Sequence, residues 1–466
     1  MIKLFPFQET GRDFLALRSN AILADDMGLG KTFMVLEAIK KLGISSGIII
    51  CPQSIRRSWV KNTREQIPLA FIKEITSPKT VPEPSAFNIV NYDIAWKEPL
   101  IGLLKEQHWP VLVADESHFL KNIDAKRTKH ILGKKGLHSR CERRWMVTGT
   151  PVLNRPIELY PVLRSLFSDF LGEKYSNFYD YAYRFCAGYQ GQFGFDCSGA
   201  SNLEELSRIL APVMIRRLKS EVLKDLPAVT YDKVYLEPSD KLIRLTALER
   251  KEYDAGRVIG ESSSVRQALG VIKCDAAIRH IRNILDTKAK VVVFLWHKSV
   301  AEALLKEFGS SAVRYTGSES AKEKEDAIRK FQEDAAVRLF IGNIQSAGFG
   351  VDGLQNVCDT AIFVEMSYVP NQIKQAIDRI NRIGQKSPVQ IQFLVAEKSV
   401  DEDVIDALSG KARNINVIMD EKGGNGVDFV GTKCRLCGKV TELQELKRVA
   451  KISVCKDCKK EMECVA

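Results

Sequence analysis

The sequence predicts an α/β protein of two successive parallel-sheet units followed by a small cysteine-bearing module, and three observations lead there. Short apolar runs alternate with helix-patterned stretches in two separate series, as in parallel sheets covered by helices on both faces. The first series opens with a phosphate-loop-like stretch at 24–32 (ADDMGLGKT), set between the apolar 21–23 and the helical FMVLEAIKKL. Near the end, Cys434, Cys437, Cys455 and Cys458 form two C-x2-C pairs separated by 17 residues.

Composition narrows the function classes. A chain of 466 residues holds two or three domains, each large enough for its own core. Hydrophobic content of 45% and charged content of 27% are those of a soluble globular protein. No apolar run approaches the ~20 residues needed to cross a bilayer, so no membrane role is expected. The start, MIKLFPFQETGRDF, lacks the apolar core of a signal peptide, and an intracellular location (cytoplasm, nucleoid or nucleus) is expected. The net charge of +11 suits a polyanionic partner such as nucleic acid, although any lysine-rich soluble protein carries such a charge. Six of the 11 cysteines are scattered singly and read as small buried apolar residues in a reducing compartment.

In chain order, Gln8 lies about one short helix before the loop. Its amide donates and accepts at once, which matches an adenine edge; alone it is a surface glutamine. In the loop itself, Gly28 and Gly30 let the backbone approach a phosphate. Lys31 supplies charge to it, and Thr32 a hydroxyl for Mg²⁺. Asp25 stands where the usual pattern has glycine, and Asp26, Met27 and Leu29 complete the loop. Without the rest of an ATPase, such a stretch is an ordinary strand-to-helix turn.

Strands are expected at 47–51, 87–91, 111–115 and 145–149, with functional residues at their carboxyl ends. The third runs into Asp115, Glu116, Ser117 and His118. Two adjacent carboxylates at a buried strand tip suit Mg²⁺ ligation by the first and water activation by the second. The fourth runs into Thr148, Gly149, Thr150 and Pro151, hydroxyls placed to report the state of a phosphate, or simply a turn.

From 155 to 231 the pattern is mostly helical and aromatic, with an irregular loop at 188–199 and a basic helix face at 216–219 that is expected to be solvated. A second series comes next: a helix with Ile278, Ile281 and Leu285 on one face, then strands at 291–296, 313–317, 338–343, 361–366 and 389–395. Within 371–385, Gln375, Arg379 and Arg382 fall at i, i+4 and i+7, one stripe of a predicted helix. Two arginines on one face are what a transferring phosphoryl group requires, or else a solvated basic stripe. A glycine-rich linker at 421–426 precedes the paired cysteines, whose spacing suits one tetrahedral thiolate Zn²⁺ site; chance clustering or a disulfide pair is the other reading.

Taken together, Phe7-Gln8, ADDMGLGKT, the DESH box at 115–118, VTGTP at 147–151, RRLKSEVLKDLP at 216–227 and DRINRIGQK at 378–386 resemble the Swi/Snf (sucrose non-fermenting) family of DNA-dependent ATPases within helicase superfamily 2. The SGASNLEEL stretch is similar to the annealing-helicase branch, which remodels forked DNA. The resemblance covers about residues 4–408. It implies two tandem RecA-like lobes closing on ATP and Mg²⁺ while a monomer moves along double-stranded or forked DNA.

By the same resemblance, Gln8 reads adenine, and Gly28, Gly30, Lys31 and Thr32 hold phosphates and Mg²⁺. Asp115 binds the metal, Glu116 orients water, and Arg382, with Arg379 beside it, is the arginine finger. His118, Thr148, Gly149, Thr150 and Gln375 couple the site to movement, and Gly350 and Asp352 lie in an altered motif facing ribose or DNA. The expected organisation is lobe 1 at 1–154, a helical insertion at 155–230, lobe 2 at 231–420, a linker at 421–431 and a zinc ribbon at 432–466, which also offers a surface for a protein partner. An RNA helicase or a non-catalytic DNA-binding scaffold are the competing readings. The first is disfavoured by DESH in place of DEAD, the second by the intact Lys31, Asp115, Glu116 and Arg382. A metal-dependent nuclease built on histidines is set aside for the tail, because the last histidine is His297.

Overall fold

The computed structural model describes residues 3–149, 155–168, 171–172, 175, 177–191, 194–237, 239–254, 264–348, 351–367, 370–397, 399–402, 405, 432–433, 440–441, 446–449 and 452–455. The first apolar series forms a seven-stranded, all-parallel sheet. Its strands are β1 (Asn20–Leu23), β2 (Gly47–Cys51), β3 (Ile72–Ile75), β4 (Phe87–Asn91), β5 (Trp109–Asp115), β6 (Cys141–Val147) and, after a hairpin of β7 (Tyr189–Gly191) and β8 (Gly194–Asp196), β9 (Met214–Ile215). They lie in the order β3-β4-β2-β5-β6-β1-β9. Every residue of β2 and β4 is buried, which is why these strands read as unbroken apolar runs rather than alternating ones.

The second series forms a six-stranded, all-parallel sheet from β10 (Val229–Leu236), β11 (Val291–Leu295), β12 (Ala312–Tyr315), β13 (Leu339–Asn343), β14 (Thr360–Phe363) and β15 (Val389–Ala396). The order is β10-β15-β14-β11-β13-β12. This two-sheet α/β architecture is the one the sequence predicts. Helices cover the sheets, and the helix Ser264–Thr287 buries Ile281 and Leu285 as its periodicity requires. Trp59, Trp109 and Trp145 fill the first core, while Phe294, Phe363 and Phe393 stack through the second, with ring centroids 4.9 and 5.0 Å apart.

Several local expectations are corrected. The irregular loop at 188–199 contains the β7–β8 hairpin. β9 and β10 emerge from a stretch read as helical, because each has a parallel neighbour far away in sequence: β9 beside β1, β10 beside β15. The predicted helix at 371–385 ends at Ile377. Beyond it the backbone tightens into turns, with the Arg379 N–H donating to the Ala376 carbonyl and that of Ile380 to Ile377. Arg379 and Arg382 therefore lie on turns rather than on a helical stripe.

Thr150, Gly350, Cys434, Cys437 and Cys458 lie outside the described residues, and Cys455 is described only as the last residue of a strand. The described residues of the tail form two antiparallel strand pairs, β16 (Thr432–Lys433) with β17 (Val440–Thr441), and β18 (Leu446–Val449) with β19 (Ile452–Cys455). Among the described residues no helix is long and apolar enough to cross a membrane.

The aromatic stack yields a stability prediction. Phe363 is fully buried between two rings, so Phe363→Ala removes both contacts and leaves a cavity. A loss of about 3–5 kcal/mol is expected in the urea-induced unfolding of the second sheet unit; a change below ~1 kcal/mol would mean that the stack is not part of a tightly packed core.

Candidate active site at the cleft between the two sheets

Adjacent strands β5, β6, β1 and β9 all end at the same carboxyl edge, and their order alone gathers the acids, hydroxyls and cations just beyond them. β1 leads into the loop at 24–30, where Asp25, Asp26, Met27 and Leu29 are buried. Gly28 (φ 80°) and Gly30 (φ 78°) take the left-handed conformation that lets the loop turn into the helix Lys31–Lys41. A Cβ at Gly30 would collide with the Gln8 amide, which donates to the Leu29 carbonyl at 3.0 Å and accepts from the Phe5 N–H at 3.0 Å. The Lys31 ammonium donates to the carbonyls of Asp25 (2.8 Å) and Asp26 (3.0 Å). Thr32 is the second residue of that helix.

β5 delivers Asp115 and Glu116, both buried. Asp115 accepts from the Trp59 indole N–H at 2.7 Å and from the Glu116 N–H at 2.9 Å, while the Tyr92 hydroxyl donates to its carbonyl at 2.9 Å. Burial, with Glu116 alongside, raises the Asp115 pKa to about 6. Glu116 has a left-handed backbone (φ 52°, ψ 51°), unusual for a residue with a Cβ and a mark of a constrained position. His118 Nδ1 lies 3.1 Å from its Oε2, and the Thr148 hydroxyl lies 3.5 Å from the same oxygen. Burial pushes the Glu116 pKa up, but the His118 hydrogen bond and the nearby Lys31 and Arg379 charges outweigh it and hold it below the usual range. Gly149 passes over Met27 and Lys31, where a Cβ would meet Lys31 Nζ at 3.3 Å.

The second sheet contributes from the opposite side. Gln375 is buried, and its Oε1 has no hydrogen-bond partner among the described residues. Arg379 donates to the carbonyls of Gln375 (3.2 Å) and Val351 (3.2 Å), and burial beside Arg382 lowers its pKa to about 10. Arg382 pairs with Asp352 at 3.1 Å, and its Cβ lies 3.1 Å from where a Cβ on Gly28 would stand. Lys31, Asp115, Glu116, Arg379 and Arg382 thus converge from chain segments roughly 350 residues apart.

The basic run at 216–219, expected to be solvated, is instead folded against the phosphate loop. The Ala24 N–H donates to the Ile215 carbonyl (2.8 Å) and that of Asp26 to Arg217 (3.0 Å), extending the β1–β9 pairing past the strand ends. The Arg217 guanidinium grips both oxygens of Asp25 and donates to the Phe7 carbonyl. Arg216 bonds the Ala24 carbonyl at 2.8 Å and that of Gly149 at 3.3 Å. Lys219 binds the Asp378 carboxylate, and Lys374 reaches Asp26 at 2.8 Å. Sequence reasoning misses these residues as site members, although two buried acids at 25–26 already demand cations from elsewhere in the chain.

The donor set fits a nucleotide with its Mg²⁺. Two glycines leave a cradle without Cβ atoms, one lysine stands on its rim, and two adjacent buried carboxylates gain from a neighbouring cation. Among the described residues no group of three or more His, Cys, Asp or Glu is arranged to hold a metal ion.

The Asp25–Arg217 pair can be tested through stability. Arg217→Ala leaves a fully buried carboxyl without its fork and should cost about 3–5 kcal/mol. Burial already raises the Asp25 pKa in spite of Arg217. The native state therefore binds this proton more tightly than the unfolded chain, and stability falls as pH rises from the unfolded carboxylate value near ~3.9 through the higher folded-state pKa, which loss of Arg217 raises further. The deficit of Arg217→Ala in denaturant midpoint should accordingly be larger at pH 8 than at pH 5. A deficit independent of pH would assign the loss to packing alone.

Two known domain families match the chain. The SNF2-related domain matches residues 8–283 and the Helicase conserved C-terminal domain residues 275–384. The human DNA annealing helicase and endonuclease ZRANB3 is 31% identical over 445 residues, covering 88% of this chain and 40% of that protein. The Caenorhabditis elegans SWI/SNF-related matrix-associated actin-dependent regulator of chromatin subfamily A-like protein 1 homolog is 31% identical over 421 residues, covering 86% of this chain and 59% of that protein. The chain thus spans less than two thirds of either relative. A solved Sulfolobus solfataricus SWI2/SNF2 ATPase core in complex with dsDNA aligns over 91% of this chain and 94% of its own, at 22% identity and a TM-score of 0.43. With more than half of its length matched by the first of these domains, the chain belongs to the SNF2-related family of helicase-like proteins.

Proposed function

We propose that the chain is an ATP-hydrolysing motor that moves along double-stranded DNA, with forked DNA as a substrate. One observation carries this reading: the phosphate loop and acid pair of one sheet face two arginines of the other across a single cleft. Hydrolysis then depends on how the two halves meet, and a polyanion bridging them can govern the rate. Net charge of +11 and the DNA-directed names of the relatives favour DNA as that polyanion.

In this mechanism Gln8 recognises the base, while the loop N–H groups and Lys31 hold the phosphates. Bound Mg²⁺ would neutralise phosphate charge, held by Thr32 and Asp115. Glu116 is kept ionised by His118 and so accepts a hydrogen bond from the attacking water and orients it. Arg382, with Arg379, stabilises the charge that develops on the transferred phosphoryl group. His118, Thr148, Gly149, Thr150 and Gln375 convey its loss to the second lobe, with Gly350 and Asp352 on the ribose side. All these groups come from one chain, so a monomer suffices.

For the tail, the reading is a Zn²⁺ site of Cys434, Cys437, Cys455 and Cys458 that staples two small strand pairs and offers a surface to DNA or a protein partner. The C-x2-C, seventeen-residue, C-x2-C spacing supports this reading.

Glu116→Gln should retain ATP and DNA binding while turnover collapses, whereas Lys31→Ala should weaken nucleotide binding as well. Arg382→Ala should lower DNA-stimulated turnover on the order of a thousand-fold and leave DNA binding intact. The measurement is steady-state hydrolysis with no nucleic acid, single strand, duplex, fork and RNA. Stimulation by RNA alone, or full duplex-stimulated turnover in Glu116→Gln, would overturn the reading. Elemental analysis should find one zinc per chain, lost when the chain after Asp420 is removed while hydrolysis persists.

A further inference from the structure

Two lysines near the phosphate loop play no part in the mechanism above, yet both cross the cleft. Lys219 comes just after β9 and runs with the first sheet; its ammonium binds the Asp378 carboxylate and the Asn381 carbonyl (2.5 Å) of the second. Lys374 belongs to the second sheet's helix Pro370–Ile377, and its ammonium reaches Asp26 of the loop at 2.8 Å. Lys374 and Asp378 are four residues apart and face the cleft together. Opposite them, Asp26 and Lys219 are neighbours, the Lys219 N–H lying 3.4 Å from the second Asp26 oxygen. Each side thus offers one cation and one anion, matched crosswise. Asp26, Lys219 and Asp378 are 3%, 7% and 4% exposed, so the Lys219–Asp378 pair is shielded from solvent, while Lys374 is half-buried and approaches a buried Asp26.

The two residues that Lys219 grips are sequence neighbours of the arginines. Asp378 directly precedes Arg379, and Asn381 directly precedes Arg382. Lys219 therefore holds both turns that carry the arginines, and its Cε lies 3.3 Å from the place of a Cβ on Gly28. A third pair across the cleft, Arg57–Glu325 at 3.1 Å, has side chains 56% and 64% exposed and so contributes little.

We propose that the crossed pairs Lys219–Asp378 and Asp26–Lys374 form a charge key that seats the arginine-bearing turns on the phosphate loop, making Lys219 and Lys374 positioning residues for hydrolysis. The inference rests on the proposed ATPase reading, but the key closes the cleft through protein charges whether or not nucleotide is hydrolysed. Burial lowers the Lys219 pKa, whereas Asp26 and Asp378 raise that of Lys374 against burial. Both lysines nevertheless keep a counter-charge.

The test uses the full chain with fluorophores introduced as unnatural amino acids at the exposed Ser85 and Lys306, one on each side of the cleft. Lys219→Asp and Asp378→Lys should each lengthen the distance between the labels without nucleotide. Each should also lower kcat on the order of 10–100-fold, with KM for ATP changed by less than about 3-fold, the range that coupled buried charges span. The double reversal should restore both distance and kcat to within about 3-fold of the parent. Glu325→Ala serves as the exposed control and should alter neither. If the reversals do not fold, Lys219→Met, Asp378→Leu and their combination take their place, and the double should be no worse than either single. Unchanged distance and kcat in the singles would overturn the key, as would a double that adds the two losses. If the parent hydrolyses no ATP with any nucleic acid, the ATPase reading fails while the distances still decide the key.

Discussion

Two buried carboxylates, Asp25 and Asp26, dictate much of how this molecule is put together. They sit under the phosphate loop, 0% and 3% exposed, where an unpaired charge would cost several kcal/mol. The loop cannot neutralise them with its own side chains, because Lys31 directs its donors to the loop carbonyls. Counter-charges must arrive from elsewhere. Arg217 and Arg216 come from the end of β9, and Lys374 comes from the second sheet unit. Burial of two acids is thereby converted into a demand that distant parts of the chain meet at this glycine loop.

Sheet topology meets that demand. Four neighbouring parallel strands, β5, β6, β1 and β9, end at one edge, so the acid pair, the Thr148–Gly149 turn, the phosphate loop and the pair Arg216–Arg217 become neighbours there although their strands are far apart in the chain. The backbone bonds from Ala24 to Ile215 and from Asp26 to Arg217 extend the sheet under the loop itself. β9 is only two residues long, and Arg216 and Arg217 follow directly at its end. Glu116 shows the same economy at β5: a left-handed backbone turns its carboxylate towards His118 and Thr148 while Asp115 is held by Trp59.

Chemistry divides between the two acids through their surroundings. Burial and the adjacent Glu116 raise Asp115 towards neutrality, whereas His118, Lys31 and Arg379 keep Glu116 ionised. Under the proposed mechanism the first gains most from a cation and the second is ready to orient water. The state of Glu116 also depends on Lys31 beside the loop and on Arg379 from the opposite sheet, so opening the cleft would shift it.

The amino-acid sequence by itself determined the architecture and most of the cleft's local motifs. Unbroken apolar runs such as 47–51 and 291–295 are legible because strands buried on both faces carry no polar alternation. Gly28, Gly30 and Lys31 are legible because a strand, a glycine turn and a helix lie next to one another in the chain. Strands β9 and β10 were not, since each is stabilised by a neighbour far away in sequence, and short stretches such as 214–215 have no period of their own. Arg216, Arg217 and Lys219 look like a solvated basic face until the fold buries Asp25 and Asp26 beside them. Lys374 and Asp378 look like an ordinary i, i+4 pair of one helix until the cleft closes. Only the tertiary structure decided these partnerships, because a charge takes its partner from whatever folding brings within a few ångströms, and chain separation does not encode that distance.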